Sequence, residues 1–222
     1  MATRVQAKNT ADGSQASVTF DSDVVAGRLI VVFLRVSTGD GTPTGLTDSV
    51  GTTYAQVGSA ISISGGTGYL YWGAAGGSGS NTISIGGGAI ARIQAEEVSG
   101  LTSPTTDATA QATGTSSAAA SGSITAAANS WVFAGLILTS YPSVAVTAGS
   151  GFTSINLADG NKYGAEDQDF AAGGSVNGQF TLPESNTWGA IVASFKGAGS
   201  SPVLSAATPS AQRNRRHTGR RF

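Results

Sequence analysis

At 222 residues, with 40% hydrophobic and 11% charged side chains, the chain can bury a sizeable core and is too apolar for a disordered polymer. It has no cysteine, which excludes disulfides and thiolate metal sites, and a single histidine, His217, which excludes Ser-His-Asp and multi-histidine centres. Residues 1–212 hold seven basic side chains against all 13 acidic ones, while the last ten residues add five arginines and no acid, so a mildly acidic body ends in a basic tail.

Read in chain order, short β-forming runs bounded by Gly, Ser, Asn and Asp predict strands along almost the whole chain. The first set is Arg4–Lys8, Ala16–Phe20, Arg28–Ser37, Thr53–Val57, Ile61–Ser64, Tyr69–Gly73, Thr82–Ile85 and Ala89–Val98. The second is Ala108–Ala112, Ala118–Thr125, Trp131–Leu138, Val144–Thr147, Phe152–Leu157, Glu166–Ala171, Ser175–Leu182 and Trp188–Phe195. Alternation of apolar and polar residues in Ala16–Phe20 and Thr82–Ile85 suits strands with one face on a core and one on solvent. Leu29–Val36 and Trp131–Leu138 are nearly continuously apolar, which marks them as central strands. No window carries the 3.6-residue period of an amphipathic helix.

Gly27–Phe33 and Asn129–Gly135 open these two apolar strands in the same way, and Ile90–Ser99 and Trp188–Gly197 later occupy matching places. An offset of about 100 residues is too long for a solenoid or propeller unit. It points to two similar halves of one sandwich, each supplying strands to both sheets. The fold expected is therefore all-β, a jelly-roll-like antiparallel β-sandwich over residues 1–197. A Gly/Ala/Ser/Pro-rich linker, 198–212, and a basic tail, 213–222, follow it as an extended C-terminal arm.

Residues able to do chemistry are few. Glu96 and Glu97, adjacent on a strand, point to opposite faces and cannot form a facing acid pair. Asp167 and Asp169 share a face, with Glu166 opposite, and can at most ligate a hard cation without a full calcium loop around them. Gly65–Gly68 and Gly86–Gly88 lack the Lys-Ser/Thr of a phosphate loop and read as hairpin turns. Tyr69, Tyr71 and Trp72 are either a glycan-stacking platform or ordinary packing of a half-buried strand. In the tail, Arg213, Arg215, Arg216, Arg220, Arg221 and the terminal Phe222 are suited to an acidic protein surface with an apolar pocket. Nucleic acid is the weaker fit, because the body is acidic and the tail arginines have no interleaved aromatics. The chain is expected to have no catalytic residues, no cofactor and no metal. No apolar run is long enough to span a bilayer as a helix, so no membrane partner and no secretory signal are expected.

Several segments resemble β-sandwich proteins of tailed-bacteriophage virions, used as capsid decoration or tail-appendage modules. They are Thr47–Tyr54, Ala91–Leu101, Ala148–Phe152, and Ala165–Gln168 together with Trp188–Lys196, spread over about residues 3 to 197. The resemblance implies a non-enzymatic structural protein of the virion, made in the host cytoplasm and docked on other virion proteins. A capsid cement or decoration role is expected first, then a tail, baseplate or fibre component, then a carbohydrate-binding or adhesion module for a host-surface glycan. By analogy it also implies a homo-oligomer, a trimer being the simplest appendage.

Overall fold

The computed structural model describes residues 1–10, 13–157 and 161–198. Among them are fourteen strands and no helix. The first eight are β1 (Thr3–Asn9), β2 (Ser17–Thr19), β3 (Leu29–Ser37), β4 (Leu46–Asp48), β5 (Ala55–Ile63), β6 (Gly66–Ala74), β7 (Thr82–Ile85) and β8 (Arg92–Ser99). The remaining six are β9 (Thr105–Ala126), β10 (Ser130–Leu138), β11 (Thr147–Ala148), β12 (Thr153–Ile155), β13 (Tyr163–Phe170) and β14 (Gly174–Lys196). All pairings are antiparallel.

Strands β1 to β8 form one module with two sheets, ordered β1-β8-β3-β6-β5 and β2-β7-β4. Strands β9 to β14 repeat that order with fewer breaks. The C-terminal part of β14 lies between β9 and β10, which continues to β13 and β12, while the N-terminal part of β14 lies between β9 and β11. Splitting β9 and β14 at their bends therefore gives eight segments joined as in the first module. The outermost segments pair with each other, as do the second and seventh and the third and sixth. The expected two halves are present, but not as two contributions to one sandwich: each is a sandwich in its own right.

The buried clusters show why the modules stack. One face of β3, carrying Leu29, Val31 and Phe33, packs on Trp131, Phe133 and Ile137 of β10, forming the junction core. The other face, with Ile30, Val32, Leu34 and Val36, is covered by Val18, Ile83 and Ile85 of the small sheet. Correspondingly Val132, Ala134, Leu136 and Leu138 of β10 are covered by Ile124, Phe180 and Leu182 of the folded-over ends of β9 and β14. Both faces of β3 and β10 are thus buried, which is the physical reason for their unbroken apolar sequence. Each large side chain such as Phe33 contributes about 2–3 kcal/mol by leaving water.

Several predicted boundaries shift. Ala108–Ala112 and Ala118–Thr125 join into β9, and Ser175–Leu182 and Trp188–Phe195 into β14, because the paired ribbon bends through a register shift between Thr181 and Asn186 instead of breaking. Thr53–Val57 and Ile61–Ser64 likewise join into β5, with a register shift around Gly58, whose φ of 64° suits glycine. The three-residue β4 adds a strand that the pattern did not predict, and of Val144–Thr147 only Thr147 is in a strand, β11, which runs on to Ala148. The linker from residue 199 and the basic tail lie outside the described residues.

Candidate functional site at the module junction

Strand alternation aims charged residues from both modules into the junction at the end where β1 begins. On β8, Gln94, Glu96 and Val98 stand beside Phe33, Val31 and Leu29 of β3 and so face the second module. On β13, Asp167 and Asp169 stand beside Phe133 and Trp131 of β10 and face the first. Glu166 points the other way, as its place in the sequence predicts.

Arg4 Nη1 on β1 donates to Asp167 Oδ2 on β13 at 2.6 Å, an ion pair that ties one module to the other. Glu96 is fully buried and lies against the same group. Burial, and then the neighbouring Asp167 charge, hold the Glu96 carboxyl well above the usual carboxylate range, with Arg4 acting in the opposite direction. Asp167 is raised to about 6, again by burial first, with the Arg4 charge opposing. Two carboxyls beside one guanidinium titrate as a unit and retain a proton where free carboxylates have lost theirs.

Unmatched polar atoms lie around this trio. Both polar atoms of the Gln94 amide and Asp169 Oδ1 are buried without a hydrogen-bond partner, while the Glu96 carboxyl lies against the Trp131 indole N–H and against Asp167. A cavity of about 330 Å³ opens beside Arg4 and Asp167, lined also by Thr3, Trp131, Thr153, Gln168 and Asp169. Glu96 and Asp167 are closed off from solvent, at 0% and 2% exposure, whereas Gln168 and Asp169 are partly exposed and form the accessible wall.

Other buried acids hold loops in place. Glu166 accepts hydrogen bonds from the backbone N–H groups of Gly149 and Gln179, at 2.6 and 2.9 Å, fastening the loop after β11 to β14. Its burial nevertheless raises its pKa to about 7. In the first module Asp48 does the equivalent work, accepting from Thr52 N, Tyr54 Oη and Asn81 Nδ2. Burial pushes Asp48 upward, but these hydrogen bonds together outweigh it and leave its pKa lowered. Glu97, facing away from Glu96 as expected, takes Arg28 Nη1 at 3.1 Å and the N–H of Val25. Among the described residues no three His, Cys, Asp or Glu side chains gather as a metal site, and Asp167 spends its carboxylate on Arg4.

At another edge of the junction, Arg92 and Lys162 approach the ring of the half-exposed Tyr141, Lys162 Nζ at 4.4 Å from its centroid. The nearby Arg35 is buried and donates to Ser37 Oγ, Gly65 O and Leu138 O. These three cations have no ion pair among the described residues.

The aromatic trio does not form a single platform. Tyr69 and Tyr71 stack with centroids 6.5 Å apart, but Tyr71 is only 5% exposed and belongs to the first module's core. Trp72 is on the opposite face, its ring 6.1 Å from that of Phe195. Arg213, Arg215, Arg216, Arg220, Arg221 and Phe222 lie outside the described residues. Arg4, Gln94, Trp131 and Gln168 were not singled out from the sequence. The available signal was polar residues at inward strand positions, since Gln94 and Glu96 interrupt an otherwise apolar face. Comparison with protein-family models, with curated proteins and with solved structures finds no match.

Proposed function

We propose that this chain is a non-enzymatic structural component of a tailed-bacteriophage particle, a capsid cement or decoration protein that docks on other virion proteins through its body and its basic C-terminal arm. The observation that carries the reading is the duplication. Two sandwiches with one strand order present each kind of module surface twice, an arrangement suited to a component that touches several copies of a shell protein. The nested pairing of first with eighth, second with seventh and third with sixth segment supports a jelly-roll description of each module. The use of Asp48, Glu97 and Glu166 as loop ties, and of Arg4 as an inter-module bolt, agrees with a body whose charges serve rigidity.

The test is co-sedimentation with purified undecorated particles. The full-length protein binds and a version ending at Gly197 does not, if the arm is the anchor. Binding by the shortened version places the contact on the body. Failure of both overturns the cement role and moves the protein to a tail, baseplate or fibre position.

A further inference from the structure

We propose that the unpaired edges of β9 and β5 form a self-association surface, on which a second copy of this chain docks about a two-fold axis and continues the stacked sheets of the junction. The inference does not rest on the particle role.

The two flanks of the junction end differently. On one flank the edge strands are β1 and β12, which border the cavity beside Arg4. There β1 carries the charges of Arg4 and Lys8, and β12 has only three residues. Charge and shortness are devices that keep an edge from pairing with another chain. On the other flank the edge strands are β5 and β9, which meet where the N–H of Ser59 donates to Gln111 Oε1 at 3.3 Å. Among the described residues β5 pairs with β6 alone and β9 with β14 alone, so each leaves a row of outward backbone N–H and C=O groups. Strand β5 has no charge and no proline, although it shifts register around Gly58. Strand β9 runs in unbroken register from Ala108 to Ser116, again without charge or proline. The one charged residue of β9, Asp107, is already used: its oxygens take Lys196 Nζ at 2.6 Å and the N–H of Ala127 at 2.8 Å.

These features select a second copy as the occupant. A basic or acidic segment, the chain's own arginine-rich tail included, finds no free counter-charge on either edge. A single extended peptide covers one edge and leaves the other bare. A two-fold axis perpendicular to the stacked sheets sets β9 antiparallel beside its copy, with β5 meeting its own copy alongside. Like charges do not face each other in that pairing, because the segment around its centre is neutral. Size agrees, since β5 and the Thr105–Ser117 part of β9 together bring about 20 residues a side, as a stable interface of ordinary size does.

The experiment is sedimentation equilibrium of the full-length protein, whose monomer is 22.0 kDa. A concentration-dependent dimer is expected by about 0.1 mM, within reach of a modest interface. Thr113→Lys brings two ammonium groups close to the axis and is expected to weaken the dimer about tenfold or more, and adding Ala60→Lys on β5 weakens it further. Both positions are exposed, so the variants are expected to keep the parent monomer's melting temperature, which is measured alongside. Val5→Lys, at a 47% exposed position on β1, is expected to dimerise as the parent does. A second measurement needs no substitution: amide exchange in β9 slows from dilute to concentrated parent protein, while exchange in β1 and β12 does not change. A parent that stays monomeric, an odd-numbered assembly, a dimer unweakened by the two lysines together, or exchange in β9 indifferent to concentration would each overturn the assignment.

Discussion

The two modules share a strand order yet meet through unlike side chains. Gly27 and Asn129 mark the equivalence: each has positive φ, 80° and 56°, just before the central strand, and each N–H bonds to the residue that follows the neighbouring strand, Ala75 or Ala171. Counting forward from them, Phe33 of the first module corresponds to Gly135 of the second, and Val31 to Phe133. At the junction the Phe33 ring lies where a Gly135 side chain would be, 2.7 Å from a Cβ built there, and tilts against Phe133 at 6.1 Å. The large Phe33 of one module meets the small Gly135 of the other. Two copies of one module stack closely here because their equivalent positions have become complementary.

This complementarity is broken most severely by Phe33→Ala, expected to cost about 3–5 kcal/mol by denaturant unfolding. Gly135→Ala alone is expected to cost about 1–3 kcal/mol through the clash with the Phe33 ring. Combined, the two should cost less than their sum, because the truncated ring no longer opposes the new methyl. Additive effects would mean that Phe33 and Gly135 do not fit each other as described.

A second contrast lies in how each module fastens the loop after its fourth segment. Asp48 is stabilised as a carboxylate, with a lowered pKa, so its contribution is present above the unfolded value near 3.8 and lost as pH falls below it. Glu166 is raised from 4.5 to about 7, so its folded form binds protons more tightly than the unfolded chain. Its contribution is full below about pH 4.5 and is lost as pH rises toward 7, a change of about 3 kcal/mol for such a shift. The Glu96–Asp167 pair has the same sign. The melting temperature is therefore expected to fall between pH 4.5 and 7.5, with hydrogen exchange rising in β11, β13 and β14 before β4 and β7. Glu166→Gln should flatten part of that slope. A melting temperature that rises with pH over this range would contradict the burial of these acids.

The central strands were legible because burial of both faces leaves a local record, an unbroken apolar run in Leu29–Val36 and Trp131–Leu138. The repeat was legible for the same reason, since those runs fall at matching places. That each half forms its own sandwich was not legible. It depends on whether β9 and β14 bend or break, and the register shift between Thr181 and Asn186 has no strong local signature. The junction cavity was hidden for a different reason. Arg4 of the first module meets Asp167 of the second only through the stacking of modules, and no spacing in one strand announces a partner more than 100 residues away.

The mildest contrast concerns the paired turn positions themselves. A left-handed backbone costs a side-chain-bearing residue about 1 kcal/mol or more unless, like asparagine, it tolerates that region. A Cβ at Gly27 would meet no atom within 4 Å, so Gly27→Ala isolates this strain from packing and is expected to cost about 1 kcal/mol. Gly27→Asn, which copies the second module, should cost only a few tenths, and Asn129→Gly should be neutral within about 0.5 kcal/mol. Chemical denaturation of the three variants measures the series. Equal losses for alanine and asparagine at position 27 would mean that the turn is not held in the left-handed region and that the equivalence of Gly27 with Asn129 fails.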